Sequence, residues 1–301
     1  MIESMTGKTC VVTGATSGIG RAVAFELGAR GASLALVGRN EERGRKMVGR
    51  ISRRWPASEV HFFRCDLTVR SEVVDLAQAI RRTFGSIDVL VNNAGARFDR
   101  YGANAEGIER TFAGNHLGHF LLTALLLESL LRSPAARVIT LGSGAHGVTP
   151  PLGWILSAGN YDRKLAYGSS KLANILFSYE LARRLVNTPV TVNALDPGGV
   201  ATRLGLNNGL AAWLKHLVYY MMKRQLISPQ RAAEGVVFLA TSPELQGKSG
   251  GYYSGNRLIH SSPISYDPVI ARALWSLSVE RSQIGAESIG GMWRYFAPQR
   301  E

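Results

Sequence analysis

The chain has 301 residues, 46% of them hydrophobic and 19% charged, enough apolar material for a large core and against a disordered chain. A formal charge of +13, from 35 basic and 22 acidic residues, admits nucleic acid, an anionic membrane surface or an anionic cofactor as partner. No zinc-finger, homeodomain or aromatic-interleaved basic motif accompanies that charge, which argues against nucleic acid.

Met1 to Thr6 is short and polar, and Thr9–Val12 is too brief for the apolar segment of a signal peptide. Short apolar runs then alternate with longer segments of helical periodicity. Thr9–Thr13, Leu34–Val37, Val60–Phe63, Val89–Val91, Val138–Leu141 and Val190–Leu195 read as strands covered on both faces, because they are apolar throughout rather than alternating. Gly20–Arg30, Glu41–Ser52, Ser71–Thr83, Thr111–Leu131 and Tyr167–Val186 read as helices. The strand–helix–strand order predicts an α/β fold: a Rossmann-type, doubly wound parallel sheet with helices on both faces. No linker or repeat divides the chain, so residues 1–301 are expected to form one domain with a C-terminal embellishment. Further on, Gly209–Gln225 looks amphipathic, Ser228-Pro229 starts a helix running to about Ala240, Tyr252–Ser254 is a candidate last strand, and Asp267-Pro268 starts one more helix.

Cys10 and Cys65 each fall in an apolar run and read as small buried residues of a reduced compartment. The longest apolar stretch, Leu117–Leu131, is interrupted by His119 and Glu128, so no segment reaches the roughly 18 apolar residues of a membrane span. A soluble cytoplasmic protein is the expectation.

The first strand ends in Thr13-Gly14-Ala15-Thr16-Ser17-Gly18-Ile19-Gly20. A glycine-rich turn between a strand and a helix lets a pyrophosphate approach the backbone, where Cβ atoms would block it, and presents the helix N–H groups to the anion. The spacing is GxxxGxG rather than GxGxxG. The second strand ends Val37-Gly38-Arg39-Asn40, with an arginine where a cofactor lacking the 2′-phosphate is usually met by an acid. A guanidinium pairs with a 2′-phosphate, so NADP(H) is the expected cofactor. The basic stretch Arg39–Arg54 reads either as a solvated helix face or as a field that draws in an anionic cofactor. Farther on, Tyr167 and Lys171 stand at i and i+4 and share a helix face, where an ammonium draws a phenol's pKa down from about 10 toward the working range of a general acid/base.

The turn Thr13–Gly20, Asn92-Asn93-Ala94-Gly95, Ser143, Tyr167-x-x-x-Lys171 and Pro197-Gly198, in this order, resemble the short-chain dehydrogenase/reductase family over about Lys8 to Leu258. Asn115–Phe120, Ser143–His146 and Ala166–Asn174 resemble its retinol dehydrogenase-like branch. The resemblance implies an oxidoreductase in which Tyr167 exchanges a proton with the substrate oxygen. Lys171 lowers the tyrosine's pKa and holds the nicotinamide ribose, Ser143 orients the substrate oxygen, and Asn115 anchors a water linking Lys171 to solvent. The cofactor is expected on Gly14, Thr16, Ser17, Gly18, Ile19, Gly20, Arg39, Asn40, Asp66, Leu67, Asn93, Ala94, Gly95, Tyr167, Lys171, Pro197, Gly198 and Thr202, with Asp66 at the adenine. Gly142 departs from the branch, which often has a serine there, so Ser143 has no adjacent hydroxyl to replace it.

His116, His119 and His146 match no metal-ligand spacing; the first two are expected to pack or hydrogen-bond, and no metal is expected. Pro150, Pro151, Leu152, Trp154, Ile155 and Leu156, with Leu204, Leu206, Leu210 and Trp213, predict a pocket for a lipophilic carbonyl or alcohol, or else loops that simply pack. Residues 198–226 are the expected substrate-covering segment. The stripe within Gly209–Gln225 fits a packed helix, a mobile lid or, less well, a membrane-surface helix. The resemblance also implies a homo-oligomer, since members of the family commonly pair through the two long helices, here Thr111–Leu131 and Tyr167–Val186, whose apolar content, notably Leu121, Leu122, Leu125, Leu126 and Leu127, exceeds what one core-facing stripe needs. A non-catalytic cofactor-binding sensor or scaffold on the same fold is the alternative, disfavoured because Asn115, Ser143, Tyr167 and Lys171 are all present.

Overall fold

The computed structural model describes residues 4–148, 159, 161–200 and 226–298. The loop residues Pro150–Leu156, the candidate Thr202 and the amphipathic stretch Gly209–Gln225 lie outside the described residues.

Among the described residues seven parallel strands form the sheet: β1 (Thr9–Thr13), β2 (Ser33–Gly38), β3 (Val60–Arg64), β4 (Val89–Asn92), β5 (Arg137–Leu141), β6 (Thr191–Asp196) and β7 (Tyr252–Ser254). An eighth, the two-residue β8 (Arg257–Leu258), closes one edge in antiparallel fashion. The order β3-β2-β1-β4-β5-β6-β7-β8 reverses direction between β1 and β4, the crevice at which open α/β sheets hold their ligands. The doubly wound expectation holds, and alternate residues show why. Cys10 and Val12 of β1 pack on one face with α1 (Gly18–Gly28), α2 (Glu41–Arg54) and α7 (Pro229–Thr241). Val11 packs on the other with α3 (Arg70–Thr83), α5 (Gly118–Leu131) and α6 (Arg163–Arg184). The strand β3 departs from the both-faces rule: His61 and Arg64 are exposed because it is the sheet's other edge, and their partners Glu59 and Glu72 make that edge charged.

The long helix expected over Thr111–Leu131 is three pieces in line: α4 (Arg110–Phe112), a π-helical turn (Ala113–Leu117) and α5. Buried Glu109 caps it, accepting from the N–H groups of Thr111 at 2.8 Å and Phe112 at 2.9 Å. Hydrophobic periodicity does not reveal a π turn, yet that turn carries Asn115. The helix also crosses very close to the β3–α3 loop: a Cβ on Gly118 would collide with the Leu67 carbonyl oxygen and come within 2.8 Å of its Cβ. The helix α6 starts four residues before Tyr167, not at it, because Asp162 accepts from the N–H groups of Lys164 at 2.7 Å and Leu165 at 2.9 Å. Tyr167 and Lys171 therefore both stand inside a preformed helix.

The C-terminal segment folds over α5 and α6. Helix α8 (Pro268–Ser282) packs on both, with α9 (Ala286–Ile289) and α10 (Trp293–Phe296) following. Trp275, 1% exposed, stacks on Phe177 at 5.9 Å and 19°, meets Phe120 edge-on at 5.1 Å, and donates its Nε1–H to the Phe296 carbonyl at 2.8 Å. The guanidinium of Arg184 lies 4.2 Å over the same indole and donates to the Ala297 carbonyl at 2.8 Å. Leu121, Leu122, Leu125, Leu126 and Leu127 of α5 are all buried within the chain. No described helix is long and apolar enough to cross a membrane.

Trp275→Ala should cost about 3–5 kcal/mol, because the site is ringed by aromatic side chains that cannot collapse into the cavity. Urea unfolding measures it; a loss under about 1 kcal/mol would show that the C-terminal segment is only loosely docked.

Candidate active site

The glycine-rich turn lies at the C-terminal end of β1. Ser17 precedes α1 without capping it through its side chain, and the first turn of α1 holds no acid. Its N-terminal N–H groups are therefore available to an anion. Thr16 stands beside Gly38, where a Cβ would lie 3.0 Å from the Thr16 methyl, while Ile19 turns into the core. Two of the three glycines answer to the chain itself as well as to any ligand. A Cβ on Gly14, which has φ +68°, would sit 2.8 Å from Asn93 Nδ2; one on Gly20 would strike the same nitrogen and lie 2.5 Å from the Gly14 carbonyl oxygen. The Asn93 amide fills the space because its Nδ2 donates to the Thr13 carbonyl at 2.6 Å. The backbone N–H groups of Asn93 and Ala94 both donate to Thr13 Oγ1 at 2.9 Å.

At the tip of β2, Arg39 Nη1 approaches Asp66 Oδ2 at 3.7 Å, with the arginine side chain 60% exposed. The other carboxylate oxygen of Asp66 accepts from the Thr68 N–H at 3.0 Å and its hydroxyl at 2.9 Å, closing the turn after β3. Asn40 Oδ1 is the N-cap of α2, accepting from the Arg43 N–H at 2.8 Å. Leu67 is buried against α3 and α5, so its side chain serves the core.

Asn115, Lys171 and Gly95 converge. A Cβ on Gly95 would lie 3.7 Å from both Asn115 Oδ1 and Lys171 Nζ. Asn115 accepts from the Ala96 N–H at 2.8 Å, and its Nδ2 donates to the Ala96 carbonyl at 2.9 Å and to Ser170 Oγ at 3.0 Å. The Ser170 hydroxyl donates to the Tyr167 carbonyl at 2.8 Å. Lys171 Nζ stands 5.8 Å from the Tyr167 ring centre and donates to the Leu141 carbonyl at 2.9 Å, where Asn174 Nδ2 donates also, at 3.1 Å. Burial pushes the Lys171 pKa down to about 8, a fall that Asp196 partly opposes.

Ser143 follows β5 by two residues. Its carbonyl accepts from the His146 N–H at 3.1 Å and from His146 Nδ1 at 2.6 Å, and the Nε2 of that ring accepts from the Ser262 N–H at 2.9 Å. The absent hydroxyl at Gly142 has a packing reason: a Cβ there would already sit 3.2 Å from the Tyr252 ring and 3.3 Å from Ile175. Gly198, at φ +75°, donates its N–H to Asp196 Oδ1 at 2.9 Å. Sequence reasoning passed over Ser170, Asn174 and the His146 bridge. Each lies within a family motif, Ser143–His146 or Ala166–Asn174, but the partner that gives it meaning is distant in sequence.

A family model described as short chain dehydrogenase matches residues 8–210. The chain is 37% identical to retinol dehydrogenase 13 of Mus musculus over 278 residues, 90% of this chain and 83% of that protein. A solved structure of an uncharacterized protein from Mycobacterium paratuberculosis superimposes with a TM-score of 0.73 at 29% identity, covering 93% of this chain and 95% of that one. L-Sorbose reductase from Gluconobacter frateurii, solved with NADPH and L-sorbose, does so at 0.69 and 22% identity, covering 84% and 97%, and speaks to the fold alone.

The buried ammonium makes a pH prediction. Lys171 is protonated in the unfolded chain up to its ordinary pKa of 10.5 but in the folded protein only up to about 8. The unfolded state binds the extra proton between those values, so folding stability gained above about pH 10.5 is lost as pH falls through about 8. Unfolding free energy should rise across that window by at most about 3 kcal/mol relative to Lys171→Met. Parallel pH profiles for the two proteins would show that the ammonium is not desolvated.

Proposed function

The chain belongs to the short-chain dehydrogenase/reductase family, in its retinol dehydrogenase-like branch, and on that premise we propose that it is an NADP(H)-dependent oxidoreductase moving a hydride between the nicotinamide and a lipophilic carbonyl or alcohol. The observation that carries the reading is the meeting of Asn115, Lys171 and Gly95 beside the Tyr167 helix, at the C-terminal edge of the sheet where β1 and β4 part. A glycine cradle and an uncapped helix N-terminus fit a pyrophosphate at the same edge.

In this reading Gly14, Thr16, Ser17, Gly18, Ile19 and Gly20 hold the pyrophosphate, Arg39 meets the 2′-phosphate beside Asn40, and Asp66 with Leu67 borders the adenine. Asn93, Ala94, Gly95, Pro197, Gly198 and Thr202 border the nicotinamide half. The nicotinamide, when bound, supplies or accepts the hydride. Tyr167 gives its phenolic proton to the carbonyl oxygen during reduction and takes it back during oxidation, while Ser143 donates a hydrogen bond to that oxygen and orients it. The Lys171 ammonium stabilises the phenolate and holds the nicotinamide ribose. Asn115 anchors a water that links Lys171 to solvent, so a proton passed from the Lys171 ammonium to the Tyr167 phenolate after reduction would be replaced from solvent.

Lipophilic substrates are supported by the apolar residues of 150–156 and 204–213 and by the name of the retinol dehydrogenase relative. The two ends of the expected covering segment are tied together, Ile227 donating its N–H to the Gly199 carbonyl at 2.8 Å. The residues flanking 201–225 thus both stand beside the Pro197-Gly198 loop, which supports the reading that this segment covers the substrate.

A screen of NADPH oxidation against lipophilic aldehydes and ketones tests the reading. Within it, Tyr167→Phe should bind NADPH normally and lose about 10²–10⁴-fold in turnover, because only the acid is removed. Near-normal turnover would reject the assignment.

Arg39→Asp should weaken NADPH binding by about 10–100-fold and leave NADH nearly unaffected, the loss expected for one charge-assisted pair. Equal affinity of the unaltered protein for the two cofactors would exclude the role of Arg39.

A further inference from the structure

His119 is buried at 1% exposure, one turn beyond Asn115. Its Nδ1 lies 2.9 Å from the Asn115 carbonyl oxygen, which can only accept, so Nδ1 carries a proton and donates. Burial draws the ring's pKa down to about 4, against the opposing effect of that hydrogen bond, and nearby Lys171 lowers it further. The imidazole is therefore neutral, and Nε2 has only a lone pair.

The partner of Nε2 is Thr13 Oγ1, at 2.9 Å. Because Nε2 accepts, the Thr13 hydroxyl donates. Both lone pairs of Oγ1 are then left for the N–H groups of Asn93 and Ala94, each at 2.9 Å. Every hydrogen-bonding capacity of that hydroxyl is filled in one orientation. The competing acceptor for its proton, the Val91 carbonyl, is farther away at 3.2 Å.

We propose that His119 is a positioning residue, a neutral imidazole that aims the Thr13 hydroxyl at the Asn93–Ala94 turn through Nε2 and fixes the Asn115 carbonyl through Nδ1. The ring spans from α5 to the end of β1 and sets the spacing between the cofactor side of the crevice and Asn115. An apolar side chain of similar size would fill the volume and supply neither bond. The role at Asn115 rests on the oxidoreductase reading; the role at Thr13 does not.

The two arms separate by substitution. In His119→Asn an amide N–H falls at the reach of Nδ1, keeping the bond to Asn115 and losing Thr13. In His119→Gln an amide oxygen falls at the reach of Nε2, keeping Thr13 and losing Asn115. His119→Leu loses both. His119→Asn should speed hydrogen exchange at the Asn93 and Ala94 amides and raise the NADPH Kd by about tenfold each, with kcat at saturation within about threefold of the parent. His119→Gln should leave those amides and the Kd within about threefold and lower kcat about tenfold, measured with the best carbonyl from the screen. His119→Leu should show both losses. Equal changes in the Asn and Gln variants on all readouts, tracking their urea midpoints, would reduce His119 to packing and overturn the proposal; so would no change in either. Should the parent oxidise NADPH with no carbonyl, the functional reading fails, while the exchange rates at Asn93 and Ala94 still decide the Thr13 arm.

Discussion

The ends of β1 and β4 are joined through Thr13, and the crevice between them has the width that this joint allows. Its hydroxyl receives two backbone N–H groups from the Asn93–Ala94 turn, and its carbonyl receives the Asn93 side chain. Pulling Asn93 so close leaves no room for a Cβ at Gly14 or Gly20. The glycines of the turn are thus tied to a residue on another strand, and the open N-terminus of α1 is placed relative to Asn93 and Gly95 as a consequence. A motif that reads as ligand recognition is also, and first, a solution to packing one turn against another.

A second strand end, that of β5, holds the lysine. Leu141 offers its carbonyl to Lys171 and Asn174 together, and Asp196 adds a favourable charge, the compensation that the described residues give the buried ammonium. Taking a cation out of water with so little in return costs stability and lowers its pKa. The fold tolerates this because α6 is rigid where it matters: capped by Asp162, tied to Asn115 through Ser170, and packed on both sides. The same rigidity presents Tyr167 and Lys171 one turn apart on a common face.

Helices α5 and α6 carry the site on their sheet-facing side and an apolar surface on the other. The C-terminal segment covers that surface, with Trp275 as its anchor and Arg184 closing over the indole. A polar thread runs the same way: His116, beside Asn115, meets Ser278 of α8 at 2.8 Å. The segment beyond the sheet is therefore packed directly behind the helix that bears Asn115.

The order of strands and helices, the two-sided cover of the sheet and the family motifs were legible in the sequence because each is written locally. Apolar runs, capping residues and the Tyr167–Lys171 spacing act over a few residues of chain. Bounds drifted where a cap was overlooked, as at Asp162, or where an edge strand read as a central one, as at β3. The pairings that make the site were not legible. Thr13 with His119, Lys171 with the Leu141 carbonyl, Gly95 with Asn115, and His146 with Ser262 join residues that are far apart in sequence and meet only once the sheet is assembled. Nor could composition tell which distant part of the chain packs on the apolar faces of α5 and α6. The sequence by itself determined which elements form and which chemistry they carry, since those depend on neighbours along the chain. The tertiary structure alone decided which lone pair faces which proton, since hydrogen bonds of about 3 Å depend on how the elements pack.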